Sequence, residues 1–181
     1  MKKVALFLAG GFEEIEALAT VDILRRAQIP VVTVSVTDDK IVTGAHHIPV
    51  TADTTFLEAD FSQVDVLILP GGMPGARHLN EHEGLKKLIR QFNTQSKSIA
   101  AICAAPMVLG EMGILHGKNA TCYPGFEGQL TGAKITAEKV VVDQNITTGR
   151  GPGLAFDFAL ELVEQIAGAE TREKVQNGLL L

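Results

Sequence analysis

The chain is nearly free of cysteine: Cys103 and Cys122 are the only two in 181 residues. Two thiols cannot build a disulfide framework, so a reducing, cytoplasmic setting is expected. Positive charge is also scarce. The formal net charge is −5 and there is no basic run, which argues against a nucleic-acid surface. No apolar stretch reaches the length of a membrane span. Lys2-Lys3 precede an apolar run over 4–9, but that run is too short for a signal peptide, and Glu13, Glu14 and Glu16 follow at once. Gly10-Gly11 is not part of a G-x-G-x-x-G fingerprint, and the phosphate-loop lysine pattern is missing, so no cofactor is expected. No histidine lies beyond His116, so a Cys…His-x-Glu triad with a late histidine cannot be assembled. His46, His47, His78, His82 and His116 show no metal-ligand spacing with Cys103; each reads as a solvated or turn histidine, and no metal site is expected. Repeats, linkers and low-complexity segments are absent.

What remains is an ordinary globular composition, 46% apolar, at a length suited to one domain over 1–181. Apolar or β-branched runs at 4–9, 31–36, 64–69 and 98–102 read as strands. Helical patterns cover 13–27, 79–92, 154–167 and 171–180. A small hairpin or edge excursion is expected over 40–52, a hairpin over 139–148, a short strand over 120–123, and a loop with one helical turn over 125–132. The alternation predicts an α/β fold with a mostly parallel sheet. Four segments then follow strand ends: Gly10 to Glu16, Pro70 to Gly75, Cys103 onward, and Thr148 to Gly153. A parallel sheet brings all four to one edge, where sites of such folds lie.

The stretch Ser98-Ile99-Ala100-Ala101-Ile102-Cys103-Ala104-Ala105-Pro106 is the most informative. It predicts a buried strand, a sharp turn at Cys103 and a helix that starts at once. Ala101 and Ala105 supply the small residues that a nucleophile elbow needs on either side. Pro106 suits a first helical turn. At a helix N-terminus the thiol pKa can fall below its free value of about 8.5. A buried structural cysteine is the competing account. Pro70-Gly71-Gly72 reads either as backbone donors for a ligand oxygen or as a simple turn. Glu16 shares a helix line with Thr20, Ile23 and Ala27, but periodicity does not select it over Glu13 and Glu14, which read as helix N-terminal acids. Cys122 reads as a small buried hydrophobe.

Four motifs occur in order: Ala9-Gly10-Gly11-Phe12-Glu13-Glu14-Ile15-Glu16, Leu69-Pro70-Gly71-Gly72, Ala100-Ala101-Ile102-Cys103-Ala104-Ala105-Pro106 and Gly149-Arg150-Gly151-Pro152-Gly153. Together they resemble the ThiJ/PfpI superfamily, in the branch of the Parkinson-disease-associated protein deglycase. The resemblance implies a flavodoxin-like three-layer sandwich and a homodimer. It makes Cys103 the elbow nucleophile and Glu16 the acid whose proton bridges to the sulfur. Gly71, Gly72 and Ala104 would form the anion pocket, with Tyr123, Pro152, Arg150 and His46 as its walls. It implies a glyoxalase or deglycase acting on a small aldehyde, methylglyoxal, or on its glycated adducts, with a role in oxidative stress. The alternative is a redox sensor or holdase chaperone whose cysteine is oxidised to sulfinate. Three positions depart from relatives. Tyr123 stands where many carry a histidine. Ala104 stands where the protease-like branch has one, which counts against a protease. His46 stands where several have an arginine.

Overall fold

Five consecutive apolar residues, Val4–Leu8 (β1), are all buried, as a strand covered on both faces requires. In the computed structural model, which describes residues 2–181, β1 lies near the middle of the main sheet. The chain continues through α1 (Glu14–Arg26), β2 (Val31–Ser35), the hairpin β3 (Ile41–Thr43) and β4 (Pro49–Thr51), and β5 (Thr54–Thr55). Then come β6 (Val66–Leu69), α2 (Gly75–Glu81), α3 (Glu83–Thr94), β7 (Ser98–Ile102) and α4 (Pro106–Glu111). The last part holds β8 (Asn119–Ala120), β9 (Lys134–Ile135), β10 (Val140–Asp143), β11 (Ile146–Gly149), α5 (Ala155–Ala167) and α6 (Ala169–Gly178).

The seven-stranded sheet has the order β10-β11-β7-β6-β1-β2-β5, and only the β10–β11 pairing is antiparallel. From β1 the chain crosses one way to β2; from β6 it crosses the other way to β7. With right-handed crossovers, α1 and α3 therefore cover opposite faces. α5 packs on α1 and α6 on α5, while α2 contacts α3 and α4. The order reverses between β1 and β6, the switch point where α/β sheets open a crevice. The loops after those strands are joined there: the Glu13 N–H donates to Gly71 O at 2.9 Å. The β3–β4 hairpin is strapped over the same corner by Gly11 N–H to Thr43 O and Ala45 N–H to Phe12 O, both 2.8 Å.

Two expectations need correction. The helical pattern over 79–92 is two helices, α2 and α3. His82 interrupts it with extended ψ (97°), and its Nδ1 accepts the Leu85 N–H at 3.0 Å, capping α3. The strand expected over 120–123 stops at Ala120, because the Thr121 N–H turns aside to the Thr148 hydroxyl (3.0 Å). The helix after Cys103 starts at once, as expected, and has six residues. Gly110 lies against the Gln129–Leu130 backbone, and Gly113 turns the chain with φ +73°.

Candidate active site

Cys103 follows β7 directly and takes φ +66°, in the left-handed region. For a residue with a side chain this costs about 1–2 kcal/mol, so the neighbours must hold it. The Cys103 N–H donates to Gly149 O (2.9 Å), and the Tyr123 N–H donates to Cys103 O (2.8 Å). Ala101 and Ala105 are sealed in the core on either side, and Pro106 is the first residue of α4. The elbow is therefore built as the small-x-Cys-x-small spacing predicts. With little more than one turn behind it, the helix dipole adds little.

Glu16 lies on the buried line of α1 with Thr20, Ile23 and Ala27, and is itself 0% exposed. The Gly71 N–H donates to its Oε2 at 2.7 Å. A Cβ on Gly71 would stand 2.7 Å from the Cys103 Cβ and 2.8 Å from Glu16 Oε2, so only glycine fits between them. Three segments distant in sequence thus meet in a space too small for a methyl group. The Cys103 thiol is close enough to the same carboxyl for hydrogen bonding to alter it, although Glu16 Oε1 has no partner in good hydrogen-bond geometry.

These surroundings set the proton balance. Burial pushes Glu16 up to about 7; the bonds from Cys103 and Gly71 pull it down, and Glu13 adds to the rise. The Cys103 thiol is pushed up first by burial, then by the Glu16 charge and hydrogen bond, against the Gly72 and Ala104 N–H donors. The expectation of a thiol lowered by a helix N-terminus is therefore corrected for the state in which Glu16 is ionised. When Glu16 keeps its proton, its repulsion vanishes and it becomes a donor to sulfur. Gly72 and Ala104 then favour the anion without opposition from that charge. Of the two coupled groups, Glu16 is the one that titrates near neutrality.

Cys103, Gly72, Ala104, Tyr123 and Pro152 line one cavity of ≈ 220 Å³, together with Glu13, Met73 and Phe126. Gly71 stands behind it, holding Glu16. Arg150 lines an adjoining hollow of ≈ 260 Å³ that shares Tyr123 and Pro152. His46 is not among the lining residues of either. Its Nδ1 is 2.8 Å from Glu14 Oε2 and 3.6 Å from Glu13 Oε2, which places it against the two acids instead of against the thiol. A larger hollow, ≈ 460 Å³, lies between the end of α1 and α6 beside Arg26 and Lys174, but it holds neither thiol nor buried acid.

Glu13 and Glu14 stand at the N-terminus of α1, as expected, and both are buried there, 9% and 4% exposed. Glu14 folds into the hairpin loop, where its Oε1 accepts the His46 N–H at 2.8 Å and, more weakly, the Ile48 N–H at 3.4 Å. Glu13 faces the cavity. Its spacing of three from Glu16 was the available signal, since such positions share a helix face. Met73 and Phe126 carry no comparable mark in the sequence.

Known proteins share this arrangement of the chain. Residues 2–165 match the DJ-1/PfpI family. Protein DJ-1 homolog B of Arabidopsis thaliana is 38% identical over 182 residues, which cover 99% of this chain and 42% of that longer relative. The glutathione-independent glyoxalase DJ-1 of Schizosaccharomyces pombe is 34% identical, with 99% of this chain and 98% of the relative covered. The solved structure of oxidized Toxoplasma gondii DJ-1 superposes with a TM-score of 0.95 at 37% identity, covering 99% of this chain and 98% of that one. With its sequence and its fold both matched nearly end to end, the chain belongs to the DJ-1/PfpI family.

Proposed function

We propose that this protein is a cysteine-dependent enzyme for small reactive carbonyls, converting methylglyoxal, or its adducts on amino and thiol groups, into lactate. The observation that carries the reading is the meeting of Glu16, Gly71 and Cys103 at a cavity of ≈ 220 Å³. That volume is below the usual range for drug-sized ligands, about 300–1,000 Å³, and suits a three-carbon substrate. The fission yeast relative named as a glyoxalase supports it.

Cys103 sulfur attacks the aldehyde carbon, and the thiol proton ends on the new oxygen as a hemithioacetal forms. The Gly72 and Ala104 N–H groups hold that oxygen while it is negative. Glu16, as carboxylate, takes the proton from the former aldehyde carbon and returns it to the neighbouring carbon through an enediol. The product is a lactoyl thioester on Cys103, with no net oxidation. Water then cleaves the C–S bond, releasing lactate and regenerating the thiol. Tyr123 serves as a wall or hydrogen-bond donor, because a neutral phenol is a poor base. Purified protein given methylglyoxal should release lactate, and Cys103→Ala should release none above background. Equal rates in the two reject the reading.

A second reading is a redox sensor or holdase, favoured by the absence of a histidine base at Tyr123. Two equivalents of peroxide would convert the sulfur to a sulfinate, and Glu16 with the Gly72 and Ala104 donors suits that anion. Mild peroxide should then add two oxygens to Cys103 and none to Cys122; equal oxidation of both opposes it. In either case residues 1–181 act as one domain, in the cytoplasm, as a homodimer. No helix among the described residues is long and apolar enough to cross a membrane. The dimer surface is α1 with the hairpin. Ile15 and Leu18 share a helix face and are 55% and 41% exposed, and Ile48, whose N–H reaches Glu14 of the same helix, is 51% exposed. Leu18→Glu should halve the mass seen by sedimentation; an unchanged mass places the interface elsewhere.

A further inference from the structure

The Cys103 cavity does not end at Tyr123 and Pro152. Both residues also line the second hollow of ≈ 260 Å³, which has Arg150 in its wall. Arg150 and Cys103 each follow the last register pair of neighbouring parallel strands, Gly149 of β11 with Ile102 of β7. Such strands lie about 4.8 Å apart, so the two side chains leave the sheet edge from adjacent positions. The Arg150 N–H donates to Lys139 O at 3.0 Å and fixes the base of the side chain. Its guanidinium is half-buried, and among the described residues it enters no ion pair or hydrogen bond. The acids of adjoining segments are held elsewhere: Asp157 by Lys139 Nζ at 3.0 Å, and Glu127 by the Gly125 N–H at 2.7 Å. Gly151 lets the Tyr123 ring pack against the turn, since a Cβ there would stand 3.1 Å from the ring, and the space beside Gly153 is open.

The two hollows differ in charge: Glu13 faces the Cys103 cavity, and Arg150 the adjoining one. A neutral three-carbon carbonyl has no use for a guanidinium. Its adducts do, because each also has a carrier, the thiol or amine that captured the aldehyde, and a free amino-acid carrier bears a carboxylate. Glu13 repels that carboxylate from the thiol's cavity, and Arg150 draws it into the second hollow, which leaves the reacting carbon at Cys103. The arginine fork matches a carboxylate with two parallel N–H···O bonds. We propose that Arg150 and the turn over 151–154 form a carrier subsite, selecting methylglyoxal adducts of amino-acid thiols and amines that bear a carboxylate. The subsite rests on the carbonyl chemistry proposed for Cys103 and names its substrate class. The C–S or C–N bond to the carrier breaks, the adduct's hydroxyl proton passes to the carrier sulfur or nitrogen, and Cys103 takes the freed aldehyde before it can escape. None of the residues lining this hollow belongs to α1 or the β3–β4 hairpin, the face proposed for the dimer.

The test compares carriers that differ only in that charge, N-acetylcysteine and its carboxamide, on the full chain. Binding is read by calorimetry with their S-acetonyl thioethers, which cannot release the carrier; kcat/KM for lactate is read with their methylglyoxal hemithioacetals. In both measurements the carboxylate form should be favoured about tenfold. Arg150→Gln should bring that ratio to about one, and Arg150→Lys should keep part of it, because an ammonium retains the charge without the fork. Equal affinity for the two thioethers in wild type, or a preference that survives Arg150→Gln, would overturn the proposal. The subsite and the catalytic reading fail separately. Lactate formed from methylglyoxal with no preference between carriers sinks the subsite alone. An Arg150-dependent binding preference without any lactate upholds the subsite and sinks the catalytic reading.

Discussion

Glu14 and Glu16 stand two residues apart in the first turn of α1, 4% and 0% exposed, yet their protons are pulled in opposite directions. Burial raises both. At Glu14 the hydrogen bonds from the His46 ring, its own backbone, and the His46 and Ile48 amides overcome burial and hold it below the ordinary carboxylate range. At Glu16 burial wins, because one oxygen has a single N–H donor and the other has none. Depth and the supply of donors together decide which carboxyl stays charged. Glu14 is thereby fitted to hold a loop, and Glu16 to exchange a proton with its neighbour.

The comparison breaks most visibly at Glu16. Glu16→Gln removes the group that moves the proton in the proposed reaction and should lower kcat/KM for methylglyoxal by about 10²–10⁴-fold. An unchanged value would reduce Glu16 to a packing residue. The next effect is on stability. A carboxyl raised from 4.5 to about 7 favours folding fully below pH 4.5 and loses that contribution as pH climbs to 7. The loss is on the order of 3 kcal/mol. Urea unfolding on either side of that window should show the decline in wild type and not in Glu16→Gln; parallel profiles would remove the distinction between the two acids.

Gly71→Ala attacks the contact itself. Its methyl would meet both the Cys103 Cβ and the Glu16 carboxyl, so it should cost about 1–3 kcal/mol and most of the activity. Loss of activity with unchanged unfolding would mean that the clash is relieved by moving the pair. Glu14→Gln should have the smallest effect, about 1–2 kcal/mol, from one acceptor lost to a donor. Faster amide exchange at His46 and Ile48 would locate that loss in the hairpin, whereas unchanged exchange would show that Glu14 does not hold it.

The sheet was legible because its strands announce themselves. A run such as Val4–Leu8, apolar on both faces, has few other uses, and small residues around Cys103 leave room for an elbow and little else. The convergence of four strand-end segments followed from parallel pairing alone, and the Glu13–Gly71 bond is its local form. The three glutamates were harder. Their order of importance depends on which donors reach them from Gly71 and from the hairpin, and those lie 55 and 32 residues away. His46 reads as a pocket wall by resemblance, but its imidazole is claimed by Glu14 once the hairpin folds down. The thiol shows the same limit. A helix start is visible in Pro106, whereas the six-residue length of α4 and the carboxyl opposite are not.

The left-handed backbone at Cys103 has a practical consequence for anyone altering it. Glycine would accept that conformation freely, so a chain selected only for ease of folding would prefer it there. Architecture and reactivity make competing demands on a single position. Alanine, which keeps the Cβ and its discomfort, is therefore the fair control for deleting the sulfur; a glycine variant would report the release of a spring as well as the loss of a nucleophile.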